Sequence, residues 1–321
     1  MRRIPVMILV SVAALLAAPA GVEAAPVGEW WVGADLWFAQ PTNINSDVAF
    51  DFKGGVFSGG DIIANNFDTE LSGRLVGGWR DRDATHNSYT MSYWSWDNSN
   101  SLSERGGVQP IVTDPYFANV FADRVNSDVN IKTSVLDMML TRRLTATQKS
   151  VWYWGAGLRH AEFKHDWEIQ YFDASTPVPG AEETVNIHSK VDGTGLTAAL
   201  GTVFSWSPRW QSSFKAQAAM LKGKTDATYR DHGFDNFTTF SFQTTEINRN
   251  EDRNFVQLEL QADVSFQVLN GFEVHLGYWF LNWGGAVQED RFRDDVQGGP
   301  VFTRDDLGFD GFFVGGTYTF Q

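Results

Sequence analysis

Asp306-Leu-Gly-Phe-Asp-Gly-Phe-Phe-Val-Gly-Gly-Thr-Tyr-Thr-Phe320, which stops one residue short of the C-terminus, decides the fold. Successive side chains of an extended chain point to opposite faces. Phe312, Val314, Gly316, Tyr318 and Phe320 therefore share one face, and Gly311, Phe313, Gly315, Thr317 and Thr319 the other. A last strand with an apolar outer row and an aromatic end is how a membrane-spanning β-barrel closes. Its free edge must pair with the first strand, because unpaired backbone groups do not survive in lipid.

The opposite terminus fits export. Arg2 and Arg3 precede an apolar run from Val6 to Ala18, and Val22-Glu-Ala24 supplies small residues where a signal peptidase cuts. This pattern predicts a signal peptide over residues 1–24 and a barrel over 25–321, placed in the cell outer membrane. The apolar run is short for a bilayer-spanning helix, and no later stretch is longer.

Composition narrows the class further. The chain has 13 Trp, 25 Phe and 30 Gly, yet its mean hydropathy is −0.26. That balance suits alternating strands with aromatic girdles and polar loops. There is no cysteine, which excludes disulfides and cysteine-based metal or redox sites. A formal charge of −14 argues against nucleic-acid binding.

Alternation continues inward from the closing strand. Leu258, Leu260, Ala262, Val264 and Phe266 interleave with Gln257, Glu259, Gln261, Asp263 and Ser265. Asn270-Gly271 then marks a hairpin turn. Similar segments over 29–39, 67–80, 87–96, 129–143, 150–164, 190–206, 210–224 and 272–283 bring the total to about ten strands. Short connections at 81–86, 144–149, 207–209 and 269–271 alternate with long ones at 40–66, 98–127, 165–189, 225–250 and 284–305. That is the rhythm of short periplasmic turns and long extracellular loops in an all-β, antiparallel up-and-down transmembrane barrel. A soluble β-sandwich is the structural rival, but it leaves rows such as Gln257, Glu259, Gln261 and Asp263 without a purpose.

The inward rows carry the candidate function. Glu70, Arg74, Asp137, Arg159, Lys215, Gln217, Glu259, Gln261, Asp263, Glu273 and His275 are the candidate pore-lining residues. Charges of both signs facing a lumen can select polar solutes; alternatively they pair across a filled interior and hold the barrel together. Ten strands enclose a narrow space, which side chains such as Arg159 and Trp279 can fill.

Gly155-Ala-Gly-Leu-Arg-His-Ala-Glu-Phe163, Asp192-Gly-Thr-Gly-Leu196 with Gly201, and the closing strand together resemble the Legionella-type major outer-membrane porin family. The resemblance covers the C-terminal half well and the first strands loosely, and Gln321 departs from the aromatic terminus usual in barrels. It implies a pore through which small polar solutes diffuse passively. The expected partners are outer-membrane lipid, those solutes and a second copy of the chain, with no cofactor and no catalysis. A closed barrel that binds partners through its loops is the alternative. An omptin-like rim protease is the enzymatic one, for which His165-Asp166 and Asp231-His232 are the candidates; adjacent strand residues face opposite ways, so neither makes a ready pair. Loop carboxylates Asp294, Asp295, Asp305 and Asp306 read as solvated rather than as a calcium site.

Overall fold

The computed structural model describes residues 28–42, 47–51, 61–81, 87–110, 122–173, 181–235, 241–292 and 300–320. The proposed leader, Asp294 and Asp295 lie outside them.

Ten long strands form the wall: β1 (Gly28–Thr42), β4 (Glu70–Asp81), β5 (Asn87–Pro110), β6 (Ala122–Ala146), β7 (Ser150–Asp173), β8 (Ala181–Ser205), β9 (Trp210–Asp235), β10 (Ser241–Leu269), β11 (Phe272–Phe292) and β12 (Pro300–Phe320). Two short strands, β2 (Asp47–Asp51) and β3 (Asp61–Ala64), make a hairpin. Neighbouring wall strands are antiparallel, and the ring closes where β1 meets β12, with Trp30 opposite Phe320 and Leu36 opposite Val314. The sheet has no free edge along this seam, as a wall in lipid requires.

The turns at the end that holds the termini are tight. Asn270-Gly271 takes a positive φ of 81° at the glycine, whose carbonyl accepts from the Thr319 amide at 2.7 Å. Thr147 and Ser207 hydroxyls accept from the amides of Ser150 (3.0 Å) and Trp210 (3.1 Å), which fixes the β6–β7 and β8–β9 turns.

Around this end runs an outward apolar belt. Leu196, Met220 and Phe312 are 72%, 62% and 63% exposed, so no protein covers them. Trp152, Trp206, Trp210 and Phe320 rim it on the turn side. On β10 the belt runs from Val256 to Val268; at about 3.3 Å per residue and a tilt of about 40°, this covers close to the ~25 Å band of outer-membrane barrels. A closed antiparallel wall with this belt is an outer-membrane barrel, and the chain resides there.

The strands are far longer than the bilayer needs. Twenty-four residues of β7 climb about 60 Å at that rise and tilt. Most of 98–127, 165–189, 225–250 and 284–305, expected as loops, is therefore strand. In this upper wall the alternation keeps its period but reverses its sense. Along β8, Asn186 and His188 are exposed while Val185, Ile187 and Val191 are buried inside; below Thr194 the outward residues become Leu196, Ala198 and Leu200 and the inward ones Thr197 and Ala199. Water surrounds the upper wall, so oil packs inward there.

The β2–β3 hairpin fills what the short β1 and β4 leave uncovered. Ala49 pairs with Pro110 at the outer end of β5, and Val48 and Ala49 are fully buried. The Tyr171 hydroxyl donates to the Val48 carbonyl at 2.7 Å. Asn65 and Trp167 both donate to Ser127 Oγ at 2.7 Å, tying the segment after β3 to β6 and β7.

Candidate functional site

At bilayer height the polar side chains point inward from the parity of their strands, as the sequence predicts, and they meet one another in two networks. The first centres on Arg159, which is fully buried. Its Nε and Nη2 donate to the two Asp137 oxygens at 2.7 and 2.6 Å, Nη2 also to Glu259 at 2.6 Å, and Nη1 to Gln257 at 3.2 Å. Lys215 stands 3.7 Å from the other Glu259 oxygen. The planar guanidinium suits this role because its donors form a fixed fork that fits a carboxylate edge.

The second network joins β1, β4, β10 and β11. Arg74 donates to Asp35 at 2.6 Å and to Gln261 at 3.1 Å, and His275 meets the other Asp35 oxygen at 2.7 Å. Ser213 donates to Asp263 at 2.5 Å. Gln217 donates to Thr197 at 2.9 Å. Glu70, at the first residue of β4, and Glu273, beside the Asn-Gly turn, join neither network. Asp35 was not among the candidates, although its inward parity in the first strand was legible.

Directly beside these charges stands an aromatic layer that the candidate set missed, although Trp279 was expected to help fill the lumen. Ring centroids of Trp37 and Trp279 are 4.2 Å apart, Trp94 and Trp279 5.0 Å, Trp37 and Phe313 5.6 Å, Trp94 and Phe309 5.6 Å. Arg74 lies over the Trp37 ring at 4.7 Å, joining the two layers by a cation–π contact. Trp94 donates to Ser72 at 3.0 Å, whereas the indole N–H groups of Trp37 and Trp279 find no protein acceptor, so packing holds those rings.

These contacts cross the lumen. Three strands lie between β5 and β11 around the ring, so Trp94 against Trp279 bridges nearly opposite walls. The Arg74–Gln261 bond does the same from β4 to β10. Higher up, Phe163 of β7 reaches Trp283 of β11 at 6.4 Å. Between Trp94, Trp279, Arg74 and Lys215 remains a void of about 20 Å³, room for about one water.

Among the described residues, the two His–Asp dipeptides each send their members to opposite faces of the wall. His165 is buried between Phe163 and Trp167 while Asp166 is exposed outside. Asp231 faces inward and accepts from Tyr229 at 3.0 Å; His232 faces outward and meets Thr244 at 2.8 Å. His188 and Asp166 do meet, at 2.5 Å across β7 and β8, but on the open outer face of the wall. Among the described residues no group of three His, Asp or Glu side chains could hold a metal ion. Asp306 accepts from the Gly285 amide at 2.7 Å.

No family model matches the chain, and no curated protein matches it. Among solved structures it is similar to the outer membrane protease OmpT from Escherichia coli, at 10% identity and a TM-score of 0.46, over 94% of this chain and 99% of that one. It is also similar to the Pseudomonas putida toluene transporter TodX, at 8% identity and 0.31 over 96% and 93%. A Pseudomonas aeruginosa FadL homologue follows at 9% identity and 0.28 over 91% and 90%.

Proposed function

We propose that the protein is a non-conducting surface barrel: closed at mid-height, without catalytic chemistry, and working through the wall and loops it raises above the membrane. The observation that carries this reading is the double closure of the lumen, an ionic layer around Arg159 and an aromatic layer around Trp37, Trp94 and Trp279. Passive diffusion of polar solutes, the expectation from the porin-like resemblance, requires a wetted route past those rings. The exposed His188–Asp166 pair lines an open groove of about 480 Å³ on the outer face of the wall, together with Ser101, Asp128 and Asn186, and this reading gives it no reaction.

Planar-bilayer recording tests this. The refolded chain is expected to be silent, and a variant with both layers removed, Trp94→Ala and Trp279→Ala for the rings and Arg159→Ser, Asp137→Ser and Glu259→Ser for the ion cluster, is expected to give discrete conductance steps. Reproducible steps of equal size from both proteins would restore the diffusion pore.

A further inference from the structure

The short-turn end of the wall, which faces the periplasm in a barrel of this kind, carries bare cations along one arc. Arg142 and Arg143 stand near the end of β6, Lys149 closes the β6–β7 turn and Arg209 closes the β8–β9 turn. All four are exposed, and none makes an ion pair among the described residues. Their own strands offer them no carboxylate: the sequence has none between Asp137 and Glu162, nor between Asp192 and Asp226. The described acids of this end, Glu29, Asp81 and Glu273, sit on β1, β4 and β11, and Arg80 takes Glu29 at 3.2 Å. In a chain of formal charge −14, this arc is the reverse of the average.

Backbone bonds fix where these charges stand. The Lys149 carbonyl accepts from the Ser205 amide at 2.7 Å, and the Arg209 carbonyl from the Gln267 amide at 2.9 Å, so each turn is bound to the strand end beside it. From β6 to β9 the arc covers three strand spacings, about 15 Å at about 4.8 Å each. Arg142 shares the lipid-side parity of Leu140. Arg143 shares the lumen-side parity of Asp137, and Lys149 and Arg209 belong to turns, so three of the four stand at the mouth and end of the barrel rather than on its lipid face. The turns run only over 147–149 and 206–209, and they give a folded partner no projecting loop to grip. The partner that matches is flexible, lies flat under the membrane and presents carboxylates at several points.

We propose that this arc binds the stem peptides of peptidoglycan, and so tethers the barrel to the polymer beneath the membrane. Arg143 and Arg209 each take a carboxylate through the guanidinium fork, and Lys149 between them acts as a point charge. A stem peptide is a flexible chain with more than one free carboxylate, and the polymer repeats it over an area wider than the barrel. Each exposed pair is weak, so attachment comes from their number rather than from one strong site.

The test sediments purified sacculi with the full chain in nanodiscs of zwitterionic phospholipid, and folding is checked by the heat-dependent gel shift of the barrel. The native chain is expected to co-sediment, and Arg143→Ser with Lys149→Ser and Arg209→Ser to weaken the apparent affinity about tenfold. Sacculi whose carboxylates have been amidated are expected to lose the native chain to a similar extent, as is salt at about 0.5 M by screening. Amidation alters the polymer and not the protein, so that arm decides the matter should the triple variant not fold. Lys132→Ser with Lys164→Ser, on the outer face above the membrane, is expected to change nothing. No co-sedimentation of the native chain, equal co-sedimentation with native and amidated sacculi, or an unchanged affinity in the folded triple variant overturns the assignment. A triple variant that loses retained phosphatidylglycerol from mixed nanodiscs while keeping its affinity for sacculi would make the arc a headgroup site and overturns it as well.

Discussion

The lower and upper halves of the same strands solve opposite problems with one backbone. Below Thr194, β8 turns Leu196, Ala198 and Leu200 to lipid and keeps Thr197 inside; above it, Asn186 and His188 meet water while Val185, Ile187 and Val191 pack inward. No register shift marks the change: β7 and β8 pair continuously from Ser150–Phe204 to Asp173–Ala181. The solvent alone sets which face is oily, since the hydrophobic effect drives burial in water and offers nothing against lipid tails. The lower interior is thus free to be ionic, and the upper interior is a core like that of any soluble protein.

Breaking the ionic interior should produce the largest effect. Arg159→Met leaves Asp137 and Glu259 buried, with Lys215 at 3.7 Å from Glu259 and Arg74 across the small void as the remaining cations. The expected loss is about 3–5 kcal/mol in denaturant unfolding from micelles, because an uncompensated buried charge remains. Adding Asp137→Leu and Glu259→Leu should recover most of it, because a packed apolar replacement for an ion cluster is often neutral. Failure to recover would mean that the lower interior needs its charges for more than pairing, and the contrast between the halves would be functional rather than permissive.

A second measurement compares one substitution at two heights on one face. Leu200→Arg puts a cation near the middle of the belt, and Asn186→Arg puts it on the water-facing upper wall, both outward on β8. The first is expected to cost about 2–4 kcal/mol, the second to stay within about 0.5 kcal/mol. Equal costs would mean that the belt ends elsewhere than between Thr194 and Leu196.

How much of this was legible follows from the same inversion. The ten-strand closed barrel, the Asn-Gly turn and the inward parity of Arg159, Asp137 and Glu259 could be read because an outward oily row was the pattern sought. Thr184-Val-Asn-Ile-His-Ser-Lys-Val-Asp192 has the same period of two, with the oil on the other face. Its first six residues fall in the stretch expected as a loop, because a row of oil that faces inward is not the pattern of a lipid-facing strand. The aromatic closure left a different trace. Leu36-Trp-Phe38, Tyr93-Trp94, Tyr278-Trp-Phe-Leu281 and Phe312-Phe313 are places where alternation gives way to consecutive apolar residues, so both faces are oily. Such a run marks a wall with lipid outside and a packed interior. Which rings meet across the lumen depends on curvature and strand tilt, and no local pattern carries those.

The smallest effect belongs at the outer end of β10, in the water-facing region. Glu246 accepts from Asn248 at 2.8 Å and from Arg230 at 2.7 Å on neighbouring β9. The Asn248 hydrogen bond first, then that of Arg230 and its charge, hold the carboxyl below its ordinary value of 4.5. A carboxylate whose folded value is depressed stabilises the fold above its unfolded value and loses that contribution as pH falls through the folded one. Glu246→Gln should therefore separate slightly from the native chain near neutral pH and converge with it in acid, with the separation shrinking as salt rises. The expected difference is small because the group is fully exposed. A large, salt-insensitive difference would mean that this end of the wall is shielded from water, and the upper half could then no longer be understood as a soluble barrel standing on a membrane one.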